Sequence, residues 1–286
     1  MLEHANPQPT APARVVVVGA GGFVGSAIVR RLAADGIACV PVTRKECDLL
    51  AADAVGRLTA LVRNTDSLVF VSAIAPTRTP GQVTSNVKMA EVVCDVIAAV
   101  PPVHIVYVSS DAVYADDANP VTERSCAQPS SLHGAMHLAR EVMLRASVKA
   151  PLAILRPTLL YGAADPHNGY GPNRFRRLAA KGEAITLFGE GEEQRDHVLV
   201  DDVGAIVSLV LQHRSRGTLN VATGTSYSFR AVAEAVVRLA PRPVDVRGTP
   251  RQTPITHRHF DVTATLKAFP TFRYTDLPKG LALWQK

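Results

Sequence analysis

Aromatic residues, cysteines and long runs of one residue type are scarce in this sequence. Aromatic residues make up 5% of the 286 positions, and no stretch is densely packed with lysine or arginine. The net charge of +6 therefore does not indicate a nucleic-acid-binding protein, and it suits an anionic cofactor or substrate better. No apolar run approaches the roughly 20 residues of a membrane span, so we expect a soluble protein.

Cysteine usage and the N-terminal segment both point to an intracellular setting. The four cysteines form no CxxC pair and no metal-type spacing, so we expect reduced, mostly buried thiols: Cys39, Cys47, Cys94 and Cys126. The first thirteen residues, "MLEHANPQPTAPA", are rich in proline and alanine and lack the apolar core of a signal peptide. We expect a cytoplasmic protein in which residues 1–13 are a disordered tail.

Short apolar segments alternate with longer amphipathic ones along most of the chain. Continuous apolar strands separated by helices predict an α/β fold, a Rossmann-type doubly wound parallel sheet covered on both faces. The predicted strands are "RVVVVGA" (14–20), "ACVPVT" (38–43), "SLVFVSA" (67–73), "VHIVYVSS" (103–110), "PLAILRP" (151–157) and "TLNVAT" (218–223). We assign 14–157 and about 203–223 to the Rossmann domain. A smaller C-terminal lobe takes about 158–202 and 224–286, where glycine, proline and asparagine interrupt the alternation.

The stretch "VVVVGAGGFVG" (15–25) is a strand followed at once by three glycines and an apolar helix. In a dinucleotide-binding turn, Gly19 permits the tight bend, and Gly22 lets the backbone approach a pyrophosphate. Gly25 lets the helix pack closely on the strand. The start of the helix also supplies free N–H groups for phosphate. The motif stands between the strand and the helix that it requires, so we predict a dinucleotide site here.

The end of the second strand carries cations where an NAD-preferring enzyme would have an acidic residue. Thr43, Arg44 and Lys45 stand there, and cations suit the 2′-phosphate of NADP. The sequence therefore favours NADP over NAD, although Arg44 and Lys45 are also compatible with simple surface charges. Asp48 lies within reach of an adenine amino group.

Several motifs together resemble the extended short-chain dehydrogenases/reductases, the nucleotide-sugar epimerase/dehydratase group. They are "GAGGFVG", "SAIAP" after the third strand, Asn86 at the head of a helix, "VSSDAVYA", "LRPTLLYG", "GPNRF" and "LFGEGEEQRDHVLVDDV". The resemblance runs from Arg14 to "LPKGLAL" near the end. It implies a set of dinucleotide-binding residues: Gly19, Gly22, Phe23, Val24, Gly25, Arg44, Asp48, Leu49, Ala73, His137 and Pro157.

The same resemblance implies a catalytic Ser/Thr, Tyr and Lys, and here two of the three are replaced. Ser110 precedes "DAVY" as the family hydroxyl does. The family's Tyr-x-x-x-Lys helix corresponds to "HGAMHLARE" (133–141), which places His133 at the tyrosine position and His137 at the lysine position. The i, i+4 spacing puts both on one helical face. Histidine titrates nearer neutrality and works as an acid or a base without help, but its ring reaches less far than a tyrosine oxygen.

Three interpretations of the histidine pair stay open. The first is an altered but active redox site, with His133 as proton donor and His137 holding the nicotinamide ribose. The second is a relative that keeps the nucleotide pocket but has lost or changed its catalysis, acting as a sensor or scaffold. The third is a metal site, since His-x-x-x-His on a helix is a zinc spacing. No third ligand follows from the sequence, so we predict no metal.

The substrate side is assigned by the same resemblance. Arg195 would grip a nucleotide diphosphate, and Asn173 and Asp111 would contact substrate alongside Ser110. The Asp-Glu pair of dehydratases is Asp111-Ala112 here, which disfavours dehydration. We predict an NAD(P)-dependent oxidoreductase or epimerase acting on a nucleotide-linked sugar. We also expect a homodimer, with no nucleic-acid or membrane partner.

Overall fold

A seven-stranded sheet forms the centre of the computed structural model, which describes residues 1–283. The order of its strands is β1-β10-β6-β5-β4-β2-β3, all parallel except β1. The strands of the molecule are β1 Leu2–His4, β2 Val15–Val18, β3 Cys39–Val42, β4 Ser67–Phe70, β5 His104–Val108, β6 Leu152–Pro157, β7 Leu159–Tyr161, β8 Ile185–Phe188, β9 Gln194–Leu199, β10 Ser215–Val221, β11 Ser226–Ser228 and β12 Val246–Thr249.

Helices cover both faces of this sheet. The helices of the molecule, including those of the C-terminal part, are α1 Phe23–Ala34, α2 Ala54–Leu61, α3 Pro80–Ala99, α4 Leu132–Ser147, α5 Pro172–Lys181, α6 Val200–Gln212, α7 Phe229–Arg238, α8 Thr263–Ala268 and α9 Leu277–Ala282. Within β2, Val15 and Val17 face the core beneath α1 and α6, whereas Val16 and Val18 face the core beneath α2, α3 and α4. A strand buried on both faces needs a continuous apolar run, which confirms the predicted doubly wound α/β fold.

Smaller sheets and a separate core lie in the C-terminal part. Strands β7, β9 and β11 form a three-stranded sheet, and β8 pairs with β12. Helices α5 and α7 pack on each other over a core that includes Phe175, Leu199 and Phe229. Between these pieces the chain returns through α6 and β10 to the large sheet. The residue boundaries that we assign to the two lobes stay a prediction.

The N-terminal segment is ordered where the sequence predicted a disordered tail. Leu2–His4 is a strand paired antiparallel with Gly217–Ser215 of β10. The His4 ring bonds Ser215 Oγ at 2.8 Å and the Ala268 carbonyl oxygen at 3.0 Å. The prediction is wrong here because the prolines of this segment, at positions 7, 9 and 12, all follow the strand. Across residues 1–283, no helix is long and apolar enough to cross a membrane.

Candidate active site

The glycine-rich turn after β2 has the close backbone contacts that the sequence predicted. Gly19 has a φ of +99°, and a Cβ there would lie 2.5 Å from the backbone nitrogen of Ser72. A Cβ on Gly25 would lie 2.1 Å from the Gly19 carbonyl oxygen, so α1 and the turn touch backbone to backbone. Gly22 caps α1 without a side chain, which leaves the first N–H groups of the helix open to a ligand.

One pocket brings together the adenine-side residues that the sequence predicted. Gly19, Arg44, Asp48 and Leu49 all line it, at the carboxyl ends of β2, β3 and β4. The other lining residues are Val18, Val42, Thr43, Cys47, Ser72 and Met89. Phe23 and Val24 follow in the first turn of α1, and Ala73 follows Ser72 after β4. Pro157 lies buried at the end of β6.

The charges at the rim of this pocket differ from what the sequence suggested. The Arg44 side chain is 73% exposed and lies 3.7 Å from a carboxylate oxygen of Asp48. The sequence reasoning missed Glu46, whose carboxylate accepts from the Thr43 N–H at 2.9 Å and from its hydroxyl at 2.5 Å. These hydrogen bonds lower the pKa of Glu46. The spacing of Thr43 and Glu46, three residues apart in a turn, is the signal that could have found this contact.

His133 and His137 lie on one face of α4, as their spacing predicted. Their ring centroids are 4.7 Å apart and the rings meet edge to face. His133 is half-buried, and its Nδ1 accepts from the Thr77 N–H at 3.4 Å. His137 is buried, with Nδ1 2.7 Å from the Tyr107 hydroxyl. Burial lowers the pKa of His133, with a contribution from His167, and lowers the pKa of His137 well below its usual value. Both rings are therefore neutral at physiological pH.

A buried arginine lies one helical turn beyond His137. The guanidinium carbon of Arg140 is 4.1 Å from the Phe70 ring centroid, and one nitrogen donates to the Ser72 carbonyl oxygen at 2.7 Å. No carboxylate pairs with Arg140 among residues 1–283, and its Nε has no hydrogen-bond partner there. Burial lowers the pKa of Arg140. This cation also helps keep His137 neutral. In the sequence, Arg140 looks like any charged residue on a helix surface.

A buried ion pair anchors α4 to the sheet beneath the histidines. Arg156 of β6 donates two hydrogen bonds to Glu141, at 2.9 and 2.6 Å, and the Ser109 hydroxyl donates a third at 2.6 Å. Burial opposes the charge of Arg156, yet the hydrogen bonds that it donates to Glu141 leave its pKa raised. The glutamate of "HGAMHLARE" and the arginine of "LRPTLLYG" therefore meet in space, which explains why both belong to the site.

Ser110 and Asp111 begin a short 3-10 turn, 111–113, at the end of β5. The Ser110 oxygen accepts from the Ala112 N–H at 3.2 Å, and its hydroxyl lies 3.4 Å from Asp111. Burial raises the pKa of Asp111, while the positive charges of Arg258 and Arg195 act in the opposite direction. The positive charge of Arg195, another predicted substrate residue, therefore acts on Asp111.

The remaining predicted substrate residue, Asn173, bonds to backbone groups at the end of β7. Asn173 is buried, and its amide bonds the Gly162 N–H at 3.1 Å and the Leu160 carbonyl at 3.3 Å. Its side chain therefore holds the end of β7. Arg195 is held by Glu193 at 2.5 Å and by Thr256. Within residues 1–283, no group of three or more His, Cys, Asp or Glu side chains is arranged to hold a metal ion.

Comparisons with known proteins identify the family and the fold of this chain. The model of the NAD dependent epimerase/dehydratase family matches residues 15–222. A dTDP-L-rhamnose 4-epimerase from Burkholderia thailandensis is 26% identical, over 88% of this chain and 88% of the relative. The chain belongs to the NAD dependent epimerase/dehydratase family. This confirms the resemblance to extended short-chain dehydrogenases/reductases and supports a nicotinamide dinucleotide as the cofactor.

Solved structures show the same fold at lower identity. A GDP-L-fucose synthetase from Naegleria fowleri bound to NADP superimposes with a TM-score of 0.86 at 17% identity, covering 99% of this chain and 95% of that one. A UDP-N-acetylglucosamine 4-epimerase from Bacillus cereus superimposes with a TM-score of 0.82 at 21% identity, covering 96% and 98%. These likenesses extend the fold assignment to nearly the whole chain.

Proposed function

We propose that this protein transfers hydride between NADP(H) and a carbon of a nucleotide-linked sugar, either reducing a keto sugar or epimerising through one. The observation that carries the proposal is the backbone cradle at Gly19, Gly22 and Gly25, with Ser110 and the histidine pair at the same edge of the sheet. Ligands of doubly wound folds bind at this edge. The names of the relatives, sugar epimerases and a synthetase, support the substrate class.

The preference for NADP rests on Arg44. Its guanidinium is exposed at the rim of the adenine-side pocket, and its only carboxylate neighbour within residues 1–283, Asp48, is 3.7 Å away. Such a loosely held guanidinium can exchange Asp48 for a phosphate, which it grips with two parallel hydrogen bonds. Both hydrogen bonds from Thr43 go to Oε2 of Glu46, and this carboxylate forms no ion pair with Arg44 within residues 1–283, so it leaves the guanidinium available to a phosphate.

In the reaction, the bound dinucleotide would supply or accept the hydride. Ser110 and His133 would hold the substrate oxygen and stabilise the negative charge that develops on it, and the proton that this oxygen gains or loses would be exchanged with water. His137 would hold the nicotinamide ribose in place of the usual lysine. Arg195 would bind the diphosphate of the substrate, and the clamp between Glu141 and Arg156 would keep α4 in register with the sheet.

Direct binding measurements test this proposal. Isothermal titration of the purified protein with NADPH and with NADH is expected to show tighter binding of NADPH. Arg44→Ala removes one charged contact, so its NADPH affinity is expected to fall about 10- to 100-fold while its NADH affinity stays unchanged. Gly25→Ala is expected to abolish both, because its Cβ would collide with the Gly19 carbonyl.

Three other results of these binding measurements would contradict or change the proposed function. A preference for NADH, or NAD(H) that stays bound through purification, would contradict the role of Arg44 and favour epimerisation with internally recycled hydride. Binding of neither dinucleotide would refute the redox function. Binding of a dinucleotide without turnover of any sugar nucleotide would instead favour a sensor or scaffold.

A homodimer is part of the proposal, with α4 at the interface. Leu132, Ala135, Val142 and Ala146 leave an exposed apolar face on this helix, and the Val142 side chain is among the most exposed large apolar ones, at 58%. Such a face is typical of helix-to-helix association. Light scattering on the eluting protein should give twice the chain mass, and a monomeric mass would contradict the proposal.

A further inference from the structure

The contact between Tyr107 and His137 indicates which ring nitrogen of His137 carries the proton. Tyr107 lies on β5 and is completely buried, and its hydroxyl oxygen is 2.7 Å from Nδ1 of His137. No other acceptor lies within hydrogen-bonding distance of this hydroxyl in residues 1–283. If His137 donated to Tyr107, the tyrosine proton would be buried without an acceptor, which costs about as much as a lost hydrogen bond. The tyrosine must therefore be the donor.

Burial acts in the same direction. It raises the pKa of Tyr107 to about 12, so the hydroxyl keeps its proton. It lowers the pKa of His137 well below its usual value, so the ring carries a single proton. With Nδ1 accepting from Tyr107, that proton must be on Nε2. Nε2 has no partner among the described residues and is not one of the fully enclosed unpaired atoms, so it is accessible to a ligand.

We propose that Tyr107 is a positioning residue, which fixes His137 as the Nε2–H tautomer and directs this N–H into the site to bind the nicotinamide ribose. The ribose as its partner rests on the proposed function. The tautomer itself rests only on the contact between the two side chains. The tyrosine thereby gives a neutral imidazole one property of the missing lysine, a fixed hydrogen-bond donor four residues after His133.

A hydrogen-bond donor to Nδ1 also fixes the tautomer of His133. Its Nδ1 accepts from the Thr77 backbone N–H, which cannot reverse its direction as a hydroxyl can. Neutral His133 therefore carries its proton on Nε2 as well. Both rings then present N–H groups, and neither has a lone pair free to take a proton from substrate. His133 then acts as a polarising hydrogen-bond donor for the substrate oxygen, as neutral histidines do elsewhere, while His137 donates to the ribose.

Arg140 supports the arrangement from beneath. Its guanidinium carbon is 5.3 Å from the Tyr107 ring centroid, and the Arg140 side chain is fully buried. A buried cation there disfavours a second positive charge on His137, and it also restrains the loop after β4 through the Ser72 carbonyl. The site keeps one positive charge, moved from the helix position of the lysine to a buried position one turn later.

Nitrogen NMR of the histidine rings tests the tautomer without any ligand. In protein labelled with ¹⁵N-histidine, the resonances of His137 are identified by their loss in His137→Gln. The wild type is expected to show a pyrrole-type Nε2 and a pyridine-type Nδ1 at this ring. Tyr107→Phe removes only the donor, so its His137 signals should shift toward a mixture of tautomers. Affinity for the dinucleotide should fall between about two- and tenfold.

Tyr114→Phe is the matched control. Tyr114 is also buried, and its hydroxyl donates to Asn220 at 2.6 Å, away from both histidines. This variant loses an equivalent hydrogen bond and is expected to leave the His137 signals and the dinucleotide affinity unchanged. Equal effects of the two variants on affinity would reduce Tyr107 to a structural role.

The wild-type spectrum alone decides the tautomer, even if Tyr107→Phe fails to fold. A proton on Nδ1 of His137, or an imidazolium near neutral pH, would overturn the proposal. A correct tautomer with no dinucleotide binding would leave the tautomer assignment standing and refute the proposed function instead. Dinucleotide binding by a protein whose His137 carries its proton on Nδ1 would support the proposed function and overturn the tautomer assignment.

Discussion

Replacing Glu141 by glutamine tests the ion pair that holds α4 against the sheet. Glu141 has a side chain 1% exposed and accepts three hydrogen bonds, two from Arg156 and one from Ser109. The substitution Glu141→Gln keeps the shape but removes the charge, so the Arg156 guanidinium, 7% exposed, is left without a counter-ion. A buried charge cannot recover this loss from water.

The loss of unfolding free energy in Glu141→Gln follows from the burial of both side chains. Breaking one partner of a buried ion pair costs about 3–5 kcal/mol. Glutamine keeps one acceptor oxygen, and the Tyr114 ring still lies 4.7 Å from the Arg156 guanidinium carbon. We therefore expect the lower end, about 3 kcal/mol, a large fraction of a typical unfolding free energy of about 5–15 kcal/mol. At about 2–4 °C per kcal/mol for a chain of this size class, the melting temperature should fall by about 6–12 °C.

Glu3→Gln provides the control, because Glu3 also accepts two hydrogen bonds from an arginine, Arg216, but at the surface. The side chains of Arg216 and Glu3 are 67% and 70% exposed. Here we expect a loss below about 1 kcal/mol, since water replaces the lost contacts. Calorimetry and urea unfolding of both variants measure the difference. If Glu141→Gln destabilises no more than Glu3→Gln, burial does not set the strength of this pair and the reasoning is refuted.

Two further predictions concern histidines. Burial lowers the pKa of His104 to about 4, so below pH 6.5 only the unfolded chain takes up this proton; the unfolding free energy should fall between pH 6.5 and 4 by at most about 3 kcal/mol from this group. The difference in unfolding free energy between wild type and His104→Gln should shrink as the pH falls from 6.5 to 4, and a constant difference would contradict this prediction. Asp196, whose pKa is raised to about 6, changes the unfolding free energy with the opposite sign, but it is present in both proteins and does not affect the difference. Restoring the usual residues by His133→Tyr with His137→Lys should not raise turnover, because the new ammonium would lie near buried Arg140. Adding Arg140→Met should relieve that repulsion, and a double variant more active than the triple one would show that Arg140 does not oppose the lysine.

The fold follows from the sequence because its signals are local. Four consecutive valines at 15–18 require burial on both faces, and the glycines after them are needed within the same few residues. The positions of the two histidines follow equally well from helical spacing. These features depend only on residues that are close together in the sequence, so the sequence alone predicts them.

The side chains around the histidines could not be predicted in the same way. Tyr107 lies thirty residues before His137, in a segment that reads as an ordinary buried strand. Arg140 reads as a surface charge, but it lies beneath the helix because aromatic rings of β4 and β5 accept its guanidinium. Such contacts depend on how α4 lies on the sheet, which no short motif encodes.

The three-residue strand β1 also has a consequence for handling the protein. A seven-stranded sheet has two outer edges with unpaired backbone groups, which are templates for association with other chains. One edge, β3, contains the exposed Pro41, which offers no N–H for pairing. The other would be β10 if Leu2–His4 did not cover it. Deleting residues 1–12 would leave Ser215–Gly217 open along its length, so a shortened protein should be prone to aggregate even where its core and pocket are intact.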